Sequence, residues 1–145
     1  MRARSPLAPP PIIEALTQSE GVSLVGRVLL TLPYWWSALS KLGHLDAALA
    51  EAEHLGLEPA PLIVAATLIV QAFGSLAVIT GKGAWLGAGA LGVFTALATL
   101  IAHPFWSLAD PLERFHALNT FLEHIGLIGG FMLAAALLTR PADRR

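Results

Sequence analysis

The sequence predicts an all-α protein: a four-helix transmembrane bundle with both termini cytoplasmic and a short amphipathic helix in its first outer loop. Three observations predict it. Hydrophobic residues make up 55% of the 145-residue chain and charged residues 13%, about half the ~25% charged share of ordinary soluble domains, and the mean hydropathy is +0.66. Four stretches reach the ~20 mostly apolar residues that a helix needs to cross ~30 Å of hydrocarbon. In a four-span layout, seven of the nine basic residues then fall on one face, and basic residues favour the cytoplasmic side. A soluble domain, a disordered chain and a nucleic-acid binder are excluded by the same composition. With no cysteine, disulfides, thiolate metal sites, covalently attached haem and a CxxC redox centre are excluded as well.

Residues 1–21 are a Pro-rich cytoplasmic arm, in which Pro6, Pro9, Pro10 and Pro11 favour extended backbone. Residues 22–139 are the membrane domain, with spans at about 22–42, 60–80, 84–103 and 117–138, and residues 140–145 are a cytoplasmic tail. Pro59, Gly81, Gly83 and Pro104 punctuate the gaps. The first span contains Arg27, and Pro33 in its middle predicts a kink. Val28 to Leu39 followed by Ala48-Leu49-Ala50 imitates a cleavable leader, but Lys41, His44 and Asp46 intervene and the Pro-rich stretch ahead is long for one. Between the first two spans, Leu45, Ala48, Leu49, Ala52 and Leu55 recur at helical spacing among Asp46, Glu51, Glu53 and His54. That segment reads as the short amphipathic helix, and its acidity favours packing on the bundle mouth over binding anionic lipid. Trp85 and Trp106 bracket the third span as interfacial anchors would.

An ionisable residue inside an apolar span is a functional candidate by default, because lipid does not solvate it. Arg27, Thr31, Tyr34, Ala38 and Lys41 form one stripe on the first span. Two readings stand beside each other: a stripe turned to the bundle interior, or two cations snorkelling to opposite interfaces. Thr67, Gln71 and Ser75 line one face of the second span, either as hydrogen-bonding glue between helices or as a ligand contact. The third span carries small residues at four-residue steps (Gly83, Gly87; Ala84, Ala88, Gly92, Ala96), and Gly126 and Gly130 repeat this in the fourth. Such faces suit close helix packing or a homo-oligomer.

The fourth span holds the densest polar group: His116, Asn119, Thr120, Glu123 and His124. Glu123 falls at the level of Lys41, and the two are expected to pair across helices. His103, His116 and His124 with Glu123 could ligate a metal or relay protons, but no HxxxH or HExxH spacing occurs and no metal site is assigned. No Ser/His/Asp arrangement, P-loop or GxGxxG is present, so no catalytic residue is assigned either.

The run Val25-Gly26-Arg27-Val28-Leu29-Leu30, followed by Trp36-Ser37-Ala38-Leu39-Ser40-Lys41-Leu42, resembles the first span of DoxX-type membrane proteins. Leu57-Glu58-Pro59, Gln71 through Gly81, His103-Pro104-Phe105-Trp106, and Phe121-Leu122-Glu123-His124 before Gly129-Gly130 follow in the family's order, over about residues 22–138. The resemblance implies a four-helix bundle in a bacterial inner membrane, associated with redox complexes. Members have been linked to quinone-coupled thiosulfate oxidation and to membrane partners of oxidative-stress enzymes, while distant relatives act as cargo receptors or assembly factors. By position, Arg27, Lys41, Gln71 and His103 match the polar positions typical of such proteins. Many members carry Glu in place of Gln71, and several carry Lys-Asn in place of Glu123-His124.

Together these readings nominate Arg27, Tyr34, Lys41, Gln71, His103, Glu123 and His124 as an interior cluster. A quinone carbonyl needs hydrogen-bond donors in an apolar cleft, which Arg, Tyr, Gln and His supply. The expected function is an accessory or docking subunit of a quinone-linked redox complex, with a redox enzyme as protein partner and the lipid bilayer as solvent. A scaffold or assembly factor without redox chemistry is the alternative, and a small-molecule transporter a third reading.

Overall fold

A computed structural model describes residues 9–139. These form six α-helices and one 3-10 turn, with no strand among the described residues. The helices are α1 (Pro11–Thr17), α2 (Glu20–Gly43), α3 (Leu45–His54), α4 (Ala60–Thr80), α5 (Ala84–Ala102) and α6 (Pro111–Leu138), with the 3-10 turn at Phe105–Ser107.

Among the described residues, three segments are long and apolar enough to cross a membrane: α4, α5 with the 3-10 turn, and α6. Four were expected. The fourth, α2, has 24 residues and the necessary length, but Arg27, Pro33, Tyr34 and the Trp35-Trp36 pair dilute its apolar character. Pro33 does not break it. Proline lacks the N–H that would bond the Leu29 carbonyl; one residue away, the Trp35 indole Nε1 donates to the Val28 carbonyl at 3.4 Å.

The N-terminal arm is less extended than its prolines suggest, since residues 11–17 close into a helix. Pro10 is extended, and Pro11 occupies the first helical turn, where its missing N–H costs nothing and its fixed φ suits the helix. Residues 1–8 and 140–145, and with them most of the predicted basic termini, lie outside the described residues. The last helix starts at Pro111, six residues before the expected span. Asp110 caps it, its Oδ1 accepting from Leu112 N and Glu113 N at 2.9 Å each.

The long helices pack in the order α2, α4, α5, α6, and α2 returns to touch α6. A three-residue connection makes α4 and α5 antiparallel neighbours; Gly81 (φ 79°) and Gly83 (φ 68°) supply its left-handed backbone. The helices meet around Tyr34, Val78, Ala88, Leu91 and Phe131, all buried. The Tyr34 ring stands edge-on to Phe131 at 5.3 Å and Phe94 at 6.4 Å. Across the opposite end of the assembly from the Gly81–Gly83 turn lies α3. Ala48 and Ala52, on its apolar stripe, are buried against Ala60 and Val64 of α4, as its periodicity predicted.

Candidate functional site

On α2 the polar stripe faces inward: Thr31, Tyr34 and Ala38 are buried, while Leu29, Trp36 and Leu39 are exposed. Its two cations part company. Arg27 lies at the Gly81–Gly83 end, its Nε donating to the Ser23 carbonyl and its Nη1 only 3.2 Å from where a Gly81 β-carbon would stand. A guanidinium there complements the negative end of the α4 dipole. Lys41 lies at the α3 end and makes an ion pair with Glu51 of α3.

The expected Lys41–Glu123 pair is therefore corrected. Glu51 stands on the short helix that folds directly over the end of α2, whereas the Glu123 side chain is turned to the exposed surface of α6. Equal depth along two helices does not bring side chains together when one points outward.

Beneath α3 the helices enclose a cavity of about 580 Å³. Five of the seven nominated residues line it: Tyr34, Lys41, Gln71, His103 and His124. Arg27 and Glu123 do not. The remaining wall is mostly apolar, including Val70, Phe94, Leu97 and Ile101. Leu97 is 57% and Ile101 42% exposed on the outer surface, so the cavity is open along the side of α5. Towards the Gly81–Gly83 turn, Gly74 and Gly87 let α4 and α5 approach so closely that a β-carbon on Gly87 would meet the Gly74 backbone.

One wall of the cavity is a hydrogen-bonded ladder. The Tyr34 hydroxyl lies 2.6 Å from Thr95 Oγ1, and His124 Nδ1 lies 2.7 Å from Thr99 Oγ1. Both threonines also donate to the carbonyl four residues back, Thr95 to Leu91 and Thr99 to Thr95, at 2.6 Å each. The His103 and His124 rings meet edge to face at 5.3 Å. Gln71, on α4, also lines the cavity and is 5% exposed, and its Oε1 has no hydrogen-bond partner; neither has Ser75 Oγ one turn on. A buried acceptor without a partner costs about 1–3 kcal/mol.

Thr95 and Thr99, and Glu51 as the partner of Lys41, are not among the residues that the sequence nominates. The threonines carried a usable signal, two hydroxyls at i, i+4 in an otherwise apolar span, the same pattern noticed at Thr67, Gln71 and Ser75. Glu51 carried none, because the angle at which α3 folds back is a tertiary property. No group of three or more His, Asp or Glu able to hold a metal occurs among the described residues.

A family model described as DoxX matches residues 22–104, more than half of the chain. The chain belongs to the DoxX family. No curated protein and no solved structure matches it. In this DoxX protein the matched stretch runs from the start of α2 to Pro104, so it includes Tyr34, Lys41, Gln71 and His103. Helix α6 and His124 lie beyond it. Of the five nominated residues that line the cavity, four thus lie in the matched segment and one, His124, outside it.

Proposed function

We propose that this DoxX protein is an accessory subunit of a quinone-linked redox complex in a bacterial inner membrane, crossing it with α2, α4, α5 and α6 and holding the quinone ring in the cavity under α3. The observation that carries the reading is the Gln71 amide, set in the wall of an apolar cavity with no hydrogen-bond partner among the described residues, so that its NH2 is available to a ring oxygen. A volume near 580 Å³ falls within the ~300–1,000 Å³ of small-molecule sites, and a few convergent polar groups on apolar walls suit a ring with two oxygens. The opening beside Leu97 and Ile101 suits a molecule that arrives dissolved in the bilayer with an apolar tail left outside.

A bound quinone would supply two-electron, two-proton chemistry, and a partner redox enzyme the electrons. Side chains of this chain position and exclude: Phe94 and Val70 keep water from the ring, Gln71 and His124 meet its oxygens, and the Lys41–Glu51 pair ties α3 over the cavity. The exposed apolar side of α2 supports counting it as a fourth span. With residues 22–139 as the membrane domain, an even number of spans and seven of nine basic residues on one face favour cytoplasmic termini.

Purification from native membranes, followed by solvent extraction and chromatography, tests the reading. Co-purifying quinone near one per chain, lost in Gln71→Leu, is the expected result. Absence of quinone together with failure to take it up from liposomes overturns the reading and favours a scaffold or assembly factor.

A further inference from the structure

We infer that α6 is a dimerisation helix, pairing in parallel with the α6 of a second copy of this chain along the side turned away from its own bundle. The pairing is independent of what the cavity binds.

Spacing marks that side. Leu112, Asn119, Gly126 and Leu133 recur every seven residues, and Phe115, Leu122, Gly129 and Ala136 follow three residues after each. This is the 3-4 repeat by which one helix seats its side chains into another, sustained over four heptads. All eight are exposed except Gly129, which is half-buried. On the far side of the same helix, Ala117, His124 and Leu138 are half-buried, and Phe131 is its one buried residue. The bundle thus takes one side of α6 and leaves the repeat on the other. A β-carbon on Gly126 or Gly129 would meet nothing within 4 Å, which leaves room for a neighbouring backbone.

Lipid alone does not account for this surface. The 28 residues of α6 make a rod about 42 Å long, against about 30 Å of hydrocarbon. Phe121 packs on Phe105 at 5.2 Å and on Trp106 at 6.2 Å, an aromatic group of the kind that marks the membrane–water boundary. Phe115 and Leu112 lie about 9 and about 13 Å further along the axis, among Glu113, Arg114 and His116. They are 58% and 63% exposed where acyl chains do not reach. A stripe that stays apolar on both sides of that boundary suits another helix lying alongside.

The occupant is a second copy because the stripe matches itself. Both copies cross the membrane in the same direction, so their α6 helices meet parallel, and a two-fold axis sets each residue against its own copy. No position of the repeat is charged. Its one polar residue is Asn119, whose amide both donates and accepts and therefore bonds its own copy. A single Asn at such a position fixes register and strand number. His116 and Glu123 flank the stripe on one edge only, so the two-fold axis keeps the two Glu123 carboxylates on opposite edges of the seam.

The chain has no cysteine, so single cysteines report the contact directly. Full-length protein in liposomes at high lipid dilution, carrying one cysteine at each of residues 111–123 in turn, is oxidised briefly with copper phenanthroline. Disulfide-linked dimer is expected to peak for Leu112→Cys, Phe115→Cys, Asn119→Cys and Leu122→Cys and to be weak for Ala117→Cys and Thr120→Cys. Phe115→Glu sets two carboxylates face to face at an exposed position. It should weaken dimerisation at least about tenfold, read by energy transfer on lipid dilution, with the helical circular dichroism spectrum unchanged. A monomer at every lipid ratio, crosslinks without the 3-4 pattern, or a dimer that Phe115→Glu leaves intact overturns the inference. Crosslinking from the same positions only to a different membrane protein overturns it in favour of an unlike partner.

Discussion

Gly87 of α5 lies so close to Gly74 of α4 that a β-carbon on Gly87 would stand 2.7 Å from the Gly74 carbonyl oxygen and 2.8 Å from Ala77 Cβ. Backbone is what such an atom would meet, and backbone does not rotate away as a side-chain tip does. Gly87→Ala is therefore expected to lower stability by about 1–3 kcal/mol, read as a lower midpoint of thermal unfolding in detergent. Gly126→Ala, where the added carbon meets nothing within 4 Å, is the matched control and should leave the midpoint in place.

Tyr34 and Thr95 share a buried hydrogen bond of 2.6 Å. Tyr34→Phe keeps the ring against Phe131 and removes only the donor, so a loss of about 0.5–1.5 kcal/mol is expected. In a cycle with Thr95→Val the double variant should lose less than the sum of the single ones, because the second substitution removes an acceptor already stranded.

Lys41 pairs with Glu51, and the Glu51 side chain is 58% exposed. Solvent screening at such exposure holds the pair to about 1 kcal/mol or less. A double-mutant cycle of Lys41→Met with Glu51→Gln should show measurable coupling, while the same cycle with Glu123→Gln should be additive. Coupling to Glu123 instead would return the pairing that the residue order alone suggested.

Gln71 separates a binding role from a packing one. An amide acting as glue between helices loses stability when replaced, whereas a buried amide oxygen without a partner gains from replacement by an apolar group of like size. Gln71→Leu is expected to raise the unfolding midpoint of ligand-free protein and to abolish quinone retention. A lower midpoint with retention intact would mark Gln71 as structural.

Much of the fold was legible because apolar length and punctuation act one helix at a time. The expected span at 60–80 coincides with α4 and the one at 84–103 falls within a residue of α5, since Pro59, Gly81 and Gly83 are breakers whose effect does not wait for tertiary contacts. Helix α6 begins six residues ahead of the expected span at 117–138, at the Asp110-Pro111-Leu112-Glu113 capping signal, because a cap and not apolar content sets where a helix starts. In the site, Tyr34 and Gln71 could be found from periodicity, since a polar stripe on an apolar helix has few places to go. Thr95 and Thr99 were passed over because a hydroxyl that can bond its own i−4 carbonyl draws no attention as a residue needing a partner.

By itself the sequence determined that the chain is helical, apolar enough to live in lipid, free of thiol chemistry and marked by a few polar positions on single helix faces. These follow from composition and spacing, which every helix carries before it meets another. Only the tertiary structure decided which of those positions share a cavity, that Lys41 turns to Glu51, and that Thr95 and Thr99 are the hydrogen-bond partners of Tyr34 and His124. Partner choice depends on how each helix is rotated about its axis and how closely its neighbour approaches, and that is settled by packing, at contacts such as Gly74 against Gly87.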